Sequence, residues 1–131
     1  MIFKQILIIS LFCITAHLKG AAKSQLPNEI VQALTKGDAK AISSYFNTSV
    51  ELIYSERQAV YGKAQAEQIL RTFFNDNAAP NREFNYKPLH TGIRDNAQFC
   101  IGELHTGKGS YRVTILLKDQ RILQMKIESN D

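Results

Sequence analysis

The residues best placed by type and spacing to do chemistry are Glu103, His105 and Arg112. A two-residue turn at Gly107-Lys108 between two extended segments pairs Thr106 with Gly109. Counting back sets Glu103 opposite Arg112 and His105 opposite Ser110, all on one face of a sheet. Such a trio could bind an anionic group through the arginine and move a proton through the glutamate or the histidine. It could equally be a cross-strand ion pair beside a solvated imidazole, worth about 0.2–1 kcal/mol. Opposite charges facing each other are common on strands, which weighs toward the second reading.

Other candidates are weaker. Tyr45 and Tyr54 could aim hydroxyls into a pocket, although a tyrosine at such positions more often edges a core. Cys100 and His90 become cross-strand neighbours if the turn at Arg94-Asp95-Asn96 has three residues, and a one-residue slip sends them to opposite faces. Cys100 stands between Phe99 and Ile101, which favours a buried filler over a reactive thiol. No HxxxH, no paired cysteines and no Asp-rich loop suggest a metal site. No Gly-rich phosphate loop or nucleophile elbow suggests a cofactor or an activated serine. The expectation is therefore no metal and no cofactor.

The elements that must carry these residues are legible in outline. Pro27 suits the first turn of a helix with Ile30, Val31 and Leu34 on one side. Gly37 suits the left-handed residue that ends it, and Asp38 suits the cap of a second short helix carrying Ala41, Ile42, Tyr45 and Phe46. Asn47-Thr48-Ser49 reads as a break. Val50–Tyr54 and Ala59–Tyr61 read as short strands. Ala66, Ile69, Leu70, Phe73 and Phe74 recur at helical spacing over about 63–75. From Glu83 the period becomes two, giving four strands at about 83–92, 97–106, 109–118 and 121–128. A two-residue turn at Asp119-Gln120 sets Arg112 opposite Ile127 and Thr114 opposite Met125. One face of this meander then holds Phe99, Ile101, Leu116, Leu123, Met125 and Ile127 beside the polar trio. The other holds Cys100, Leu104, Val113, Ile115, Leu117 and Ile122. Two apolar faces imply two covers, the helices on one and a second copy of the chain on the other.

A helical hairpin, a strand pair, a long helix and a four-stranded meander resemble the nuclear transport factor 2-like superfamily, also described as cone-shaped or ketosteroid-isomerase-like. The resemblance implies an α+β fold with a helical hairpin and a third helix packed on a strongly curved antiparallel sheet. It also implies a conical pocket and sheet-to-sheet dimers. Within it, Asn28–Leu34 through Gly37-Asp38-Ala39, Tyr61–Glu67 and Gly109–Lys118 are similar to a family of exported Bacteroidota proteins whose domain has no assigned function. The Asp and Tyr positions that serve ketosteroid isomerases have no match here, which counts against an enzyme.

The chain has 131 residues, enough for one ordinary domain. Its start is short and basic, followed by Ile6–Leu18, an apolar run too short to span a bilayer, which takes about 20 residues. A small-residue exit at Gly20-Ala21-Ala22 completes the pattern of a signal peptide over 1–22, cut after Ala22, with a domain over 23–131. Removing 1–22 takes Lys4 and Lys19, so sixteen basic residues become fourteen against twelve acidic ones, a net charge of about +2. These are scattered rather than striped, so nucleic acid is not an expected partner. Cys100 is left alone, without an intramolecular disulfide. The reading is an exported module of the periplasm or extracellular space, without stable membrane insertion. It is dimeric, non-enzymatic, and binds a small apolar or anionic ligand or a protein partner in its cone. The alternative is a small isomerase, dehydratase or hydrolase using Glu103 or His105 with Arg112.

Overall fold

The computed structural model describes residues 26–131. The expected leader, 1–22 with its cut after Ala22, lies outside these residues. Helix α1 (Asn28–Lys36) follows Pro27, whose carbonyl accepts from the Ile30 and Val31 amides. Gly37 ends it at φ 62°, a left-handed conformation that glycine adopts without strain. A Cβ here would also fall 2.5 Å from the Phe84 ring. The Asp38 carboxylate accepts from the Ala41 amide at 3.0 Å and caps α2 (Ala39–Ser43). Gly37 and Asp38 alone link the two helices, in the roles expected of them.

Strands β1 (Phe46–Tyr54) and β2 (Arg57–Gly62) lead into α3 (Lys63–Asn77). The supposed break at 47–49 is part of β1, which carries an irregularity in its pairing between Phe46 and Glu51. Then come β3 (Asn85–Arg94), β4 (Ala97–Thr106), β5 (Gly109–Lys118) and β6 (Arg121–Ser129). They form one sheet in the order β2-β1-β6-β5-β4-β3. It is mixed rather than wholly antiparallel, because β1 runs parallel to β6.

Register decides which side chains face the helices. The β4–β5 pairing is as the turn at Gly107-Lys108 dictates, with Glu103 opposite Arg112. The β5–β6 pairing departs from expectation after its first two rungs. Leu117 faces Ile122 but Leu116 faces Gln124, so Leu123 is an extra residue in β6. This bulge shifts everything beyond it by one position and swaps faces. Arg112 therefore faces Glu128, and Thr114 faces Lys126, not Ile127 and Met125. Met125 and Ile127 turn into the core, while Gln124, Lys126 and Glu128 take the far face. The second face is thus mixed in character, not largely apolar.

The covered face packs on the helices around aromatic rings. Phe73 of α3 meets Tyr54, Phe74 and Tyr111 edge-on at centroid distances of 5.4, 5.4 and 5.1 Å. Phe74 in turn meets Phe84 at 5.2 Å. Phe73, Phe74 and Phe84 make one buried cluster with Leu70, Leu104, Ile115 and Met125, and Tyr54 and Tyr111 pack against it. Each such buried side chain contributes about 1.5–3 kcal/mol relative to exposure.

Candidate functional site

Strand alternation settles where the expected trio lies. Leu104 and Val113 are fully buried under the helices, so Glu103, His105 and Arg112, their neighbours along β4 and β5, point the other way. The functional reading of the trio, as candidate pocket residues inside the cone, does not fit this register: all three stand on the open face of the sheet. His105 and Arg112 are exposed and Glu103 is half-buried. The Glu103 carboxylate accepts from the Ser110 hydroxyl at 2.7 Å and lies 3.6 Å from His105 Nε2. Among the described residues Arg112 makes no ion pair, so the cross-strand bridge to Glu103 is not formed either. Charges continue along the same rung. Lys87, Glu103, Arg112 and Glu128 are successive cross-strand partners on β3, β4, β5 and β6. One rung on lie His90, Ile101, Thr114 and Lys126, and beyond them Gly92, Phe99, Leu116 and Gln124.

The two tyrosines are not brought together with the trio. Tyr45 packs against the core from the link between α2 and β1. Tyr54 sits at the end of β1 on the covered side. Burial pushes its hydroxyl above the usual phenol range, and Tyr111 and Asp76 add to the effect. With Tyr61, Ile69 and Thr72 it lines a groove of about 330 Å³ beside α3.

The interior of the cone is occupied by rings. Asn77 and Ser43 are the buried polar residues among those described, and both are engaged in structural bonds. The Asn77 amide donates to the Phe73 carbonyl at 2.8 Å, its side-chain oxygen accepts from the Tyr111 hydroxyl at 2.8 Å, and its backbone carbonyl accepts from the Gly107 amide at 2.9 Å. It ties the end of α3 to the β4–β5 hairpin. The helical spacing read from the sequence stops at about 75, short of it, and an Asn-Asp-Asn run offers no signal for this role.

A larger groove, about 600 Å³, opens at the rim between α1 and the β3 edge. Its apolar walls are Leu26, Val31, Pro88, Leu89 and Ile101, and Tyr86, His90, Thr91 and Cys100 also line it. Burial pushes the Tyr86 hydroxyl up to about 12, helped by the neighbouring Cys100. Burial also pushes the Cys100 thiol up, against a weak donation from the Gln98 amide at 3.6 Å. Both stay protonated at neutral pH. The thiol–imidazole pair considered for Cys100 is absent. The β3–β4 turn has two residues, Asp95 and Asn96, which sets Thr91 opposite Cys100 and His90 opposite Ile101; a bulge at Leu89 shifts the pairing only beyond them. The His90 ring instead leans on Phe99 on the open face at 5.8 Å. Among the described residues no group of three or more His, Cys, Asp or Glu is arranged to hold a metal. No described helix is long and apolar enough to cross a membrane.

Three helices on one side of this six-stranded sheet define the nuclear transport factor 2-like class. A nuclear transport factor 2-like protein of unknown function from Burkholderia xenovorans superposes at a TM-score of 0.58 and 11% identity, over 79% of each chain, which speaks to fold alone. Within that class the chain belongs to the DUF4783 family, a domain of unknown function whose pattern matches residues 27–129. A DUF4783 protein of known crystal structure from Bacteroides uniformis is 27% identical at a TM-score of 0.70, covering 82% of this chain and 99% of its own. One from Bacteroides ovatus is 29% identical at 0.69, covering 81% and 96%. No functionally curated protein matches the chain.

Proposed function

We propose that this protein is a non-catalytic module of the cell envelope, exported by residues 1–22 and dimeric through its open sheet face. It holds a small apolar ligand, or an apolar segment of a partner, in the groove at the rim of its cone. The observation that carries the reading is the character of that groove. Its walls are Leu26, Val31, Pro88, Leu89 and Ile101, its two buried polar tips, Tyr86 and Cys100, are held neutral, and His90 and Thr91 supply polar groups beside them. A mostly apolar concavity with a few polar groups suits an apolar ligand with one hydrogen-bonding end. Glu103, His105 and Arg112 contribute to the open face rather than to this groove. Native mass spectrometry of residues 23–131, purified from the periplasm of a Gram-negative host, tests the reading. A dimer carrying an apolar adduct is the expected result. A bare protein, even after incubation with cell extract, would remove the ligand and leave a purely structural or partner-binding role.

A further inference from the structure

The open face carries a charge pattern that specifies how a second copy would sit on it. Across four adjacent strands, the rung Lys87, Glu103, Arg112, Glu128 alternates plus, minus, plus, minus. Strands lie about 4.8 Å apart, so the rung spans about 14 Å. Read backwards, the same rung is minus, plus, minus, plus. It is therefore its own complement when reversed.

We infer that a second copy of this chain covers the open face about a two-fold axis parallel to the strands, running between β4 and β5. The inference rests on the dimer proposed above and adds its geometry. Such an axis reverses each rung. Glu103 meets Arg112 of the second copy, and Lys87 meets its Glu128. The apolar rung reverses too, laying Phe99 on Leu116 of the second copy, with Ile101 over its Thr114. His90 comes over its Lys126, which carries no repulsion while the imidazole is neutral. An axis along the charged rung would set every charge over its own kind. An axis along the middle rung would set Phe99 over Glu103 and Leu116 over Arg112, burying charge against apolar surface. Like-charge contacts are what select one docking mode over another.

The pairing inside the chain leaves these groups available. Glu103 is held by Ser110 and His105, and Glu128 pairs with Lys126 at 2.9 Å. Among the described residues Lys87 and Arg112 make no ion pair, although each stands opposite a glutamate in the sheet. Their charges are left for a facing surface.

Charge-swap complementation by sedimentation tests this. Glu103→Arg and Arg112→Glu should each weaken self-association about tenfold or more. Mixing the two variants should restore a dimer, because each then meets its opposite. Lys87→Glu with Glu128→Lys repeats the logic on the outer pair, should either central variant fail to fold by circular dichroism. Wild-type protein that stays monomeric would overturn the dimer itself. A dimer that ignores the reversals, or a mixture that stays monomeric, would overturn this orientation and leave the dimer standing.

Discussion

The hairpin of β3 and β4 uses one packing device twice, on opposite faces. On the covered face the Tyr86 ring lies over Gly102, where an added Cβ would fall 2.2 Å from the hydroxyl. On the open face the Phe99 ring lies over Gly92, where a Cβ would fall 2.5 Å from the ring tip. The chemistry is the same, a cross-strand aromatic shielding a glycine. The surroundings differ. Tyr86 is under the helices and 9% exposed, whereas Phe99 is only half-buried. The Tyr86 ring is held by the helices except where it edges the groove, while the Phe99 ring on the open face can swing into water. The same contact is therefore a matter of folding on one side and, under the proposed dimer, of association on the other.

That contrast yields an order of effects. Gly102→Ala should destabilise the domain by about 2–3 kcal/mol, since the buried Tyr86 ring must shift within a packed core. In a thermal melt this lowers Tm by about 4–8 °C for each kcal/mol. A drop no larger than that of Gly92→Ala would break the comparison.

Next is the alkaline limb of stability. The Tyr86 hydroxyl holds its proton up to about 12 when folded and loses it near 10.0 when unfolded. Its contribution is fully present below pH 10.0 and is lost as pH rises through the folded value. Urea midpoints should therefore fall across that window by the equivalent of about 1–2 kcal/mol for this group, since water in the groove screens part of the effect. Cys100 and Tyr54 shift in the same sense and add to the slope. Tyr86→Phe should flatten the slope visibly, and an unchanged slope would mean the hydroxyl is not desolvated.

Gly92→Ala comes third. It should cost the isolated fold only about 0.5–1 kcal/mol, because Phe99 can rotate away. The dimer constant should suffer more than the melt does, and this pairing of results sharpens the comparison most.

The smallest effect belongs to neither face. Gln120 sits in a tight turn at φ 64° without being glycine. Gln120→Gly should raise stability by about 0.5 kcal/mol, strain relief partly offset by chain entropy. It provides a melt shift with no change in association.

The parts of the fold that short-range chemistry controls were readable. Gly37 and Asp38 specify the helical elbow, and Gly107-Lys108 specifies the β4–β5 register. What escaped depends on distant strands or on one inserted residue. Periodicity cannot show that Leu123 bulges, because an apolar residue fits either face, yet that residue moved Met125 and Ile127 inward and Lys126 and Glu128 outward. One residue more or less in the turn at Asp95-Asn96 likewise decides the neighbour of Cys100, and the sequence leaves that length open. The parallel contact of β1 with β6 joins segments about 70 residues apart in the chain, beyond any local pattern. The trio of Glu103, His105 and Arg112 was legible as a cluster. Its facing was not, since two-strand arithmetic does not say which side the helices take.

Strand β6, the last in the chain, lies inside the sheet between β1 and β5. Until it emerges from the ribosome, β1 and β5 have a missing neighbour and the sheet exists as two unjoined halves. Contacts of such long loop closure come late in folding. A nascent chain ordered this way has no complete core to lock early. If export is its fate, it reaches the translocation pore still able to be threaded.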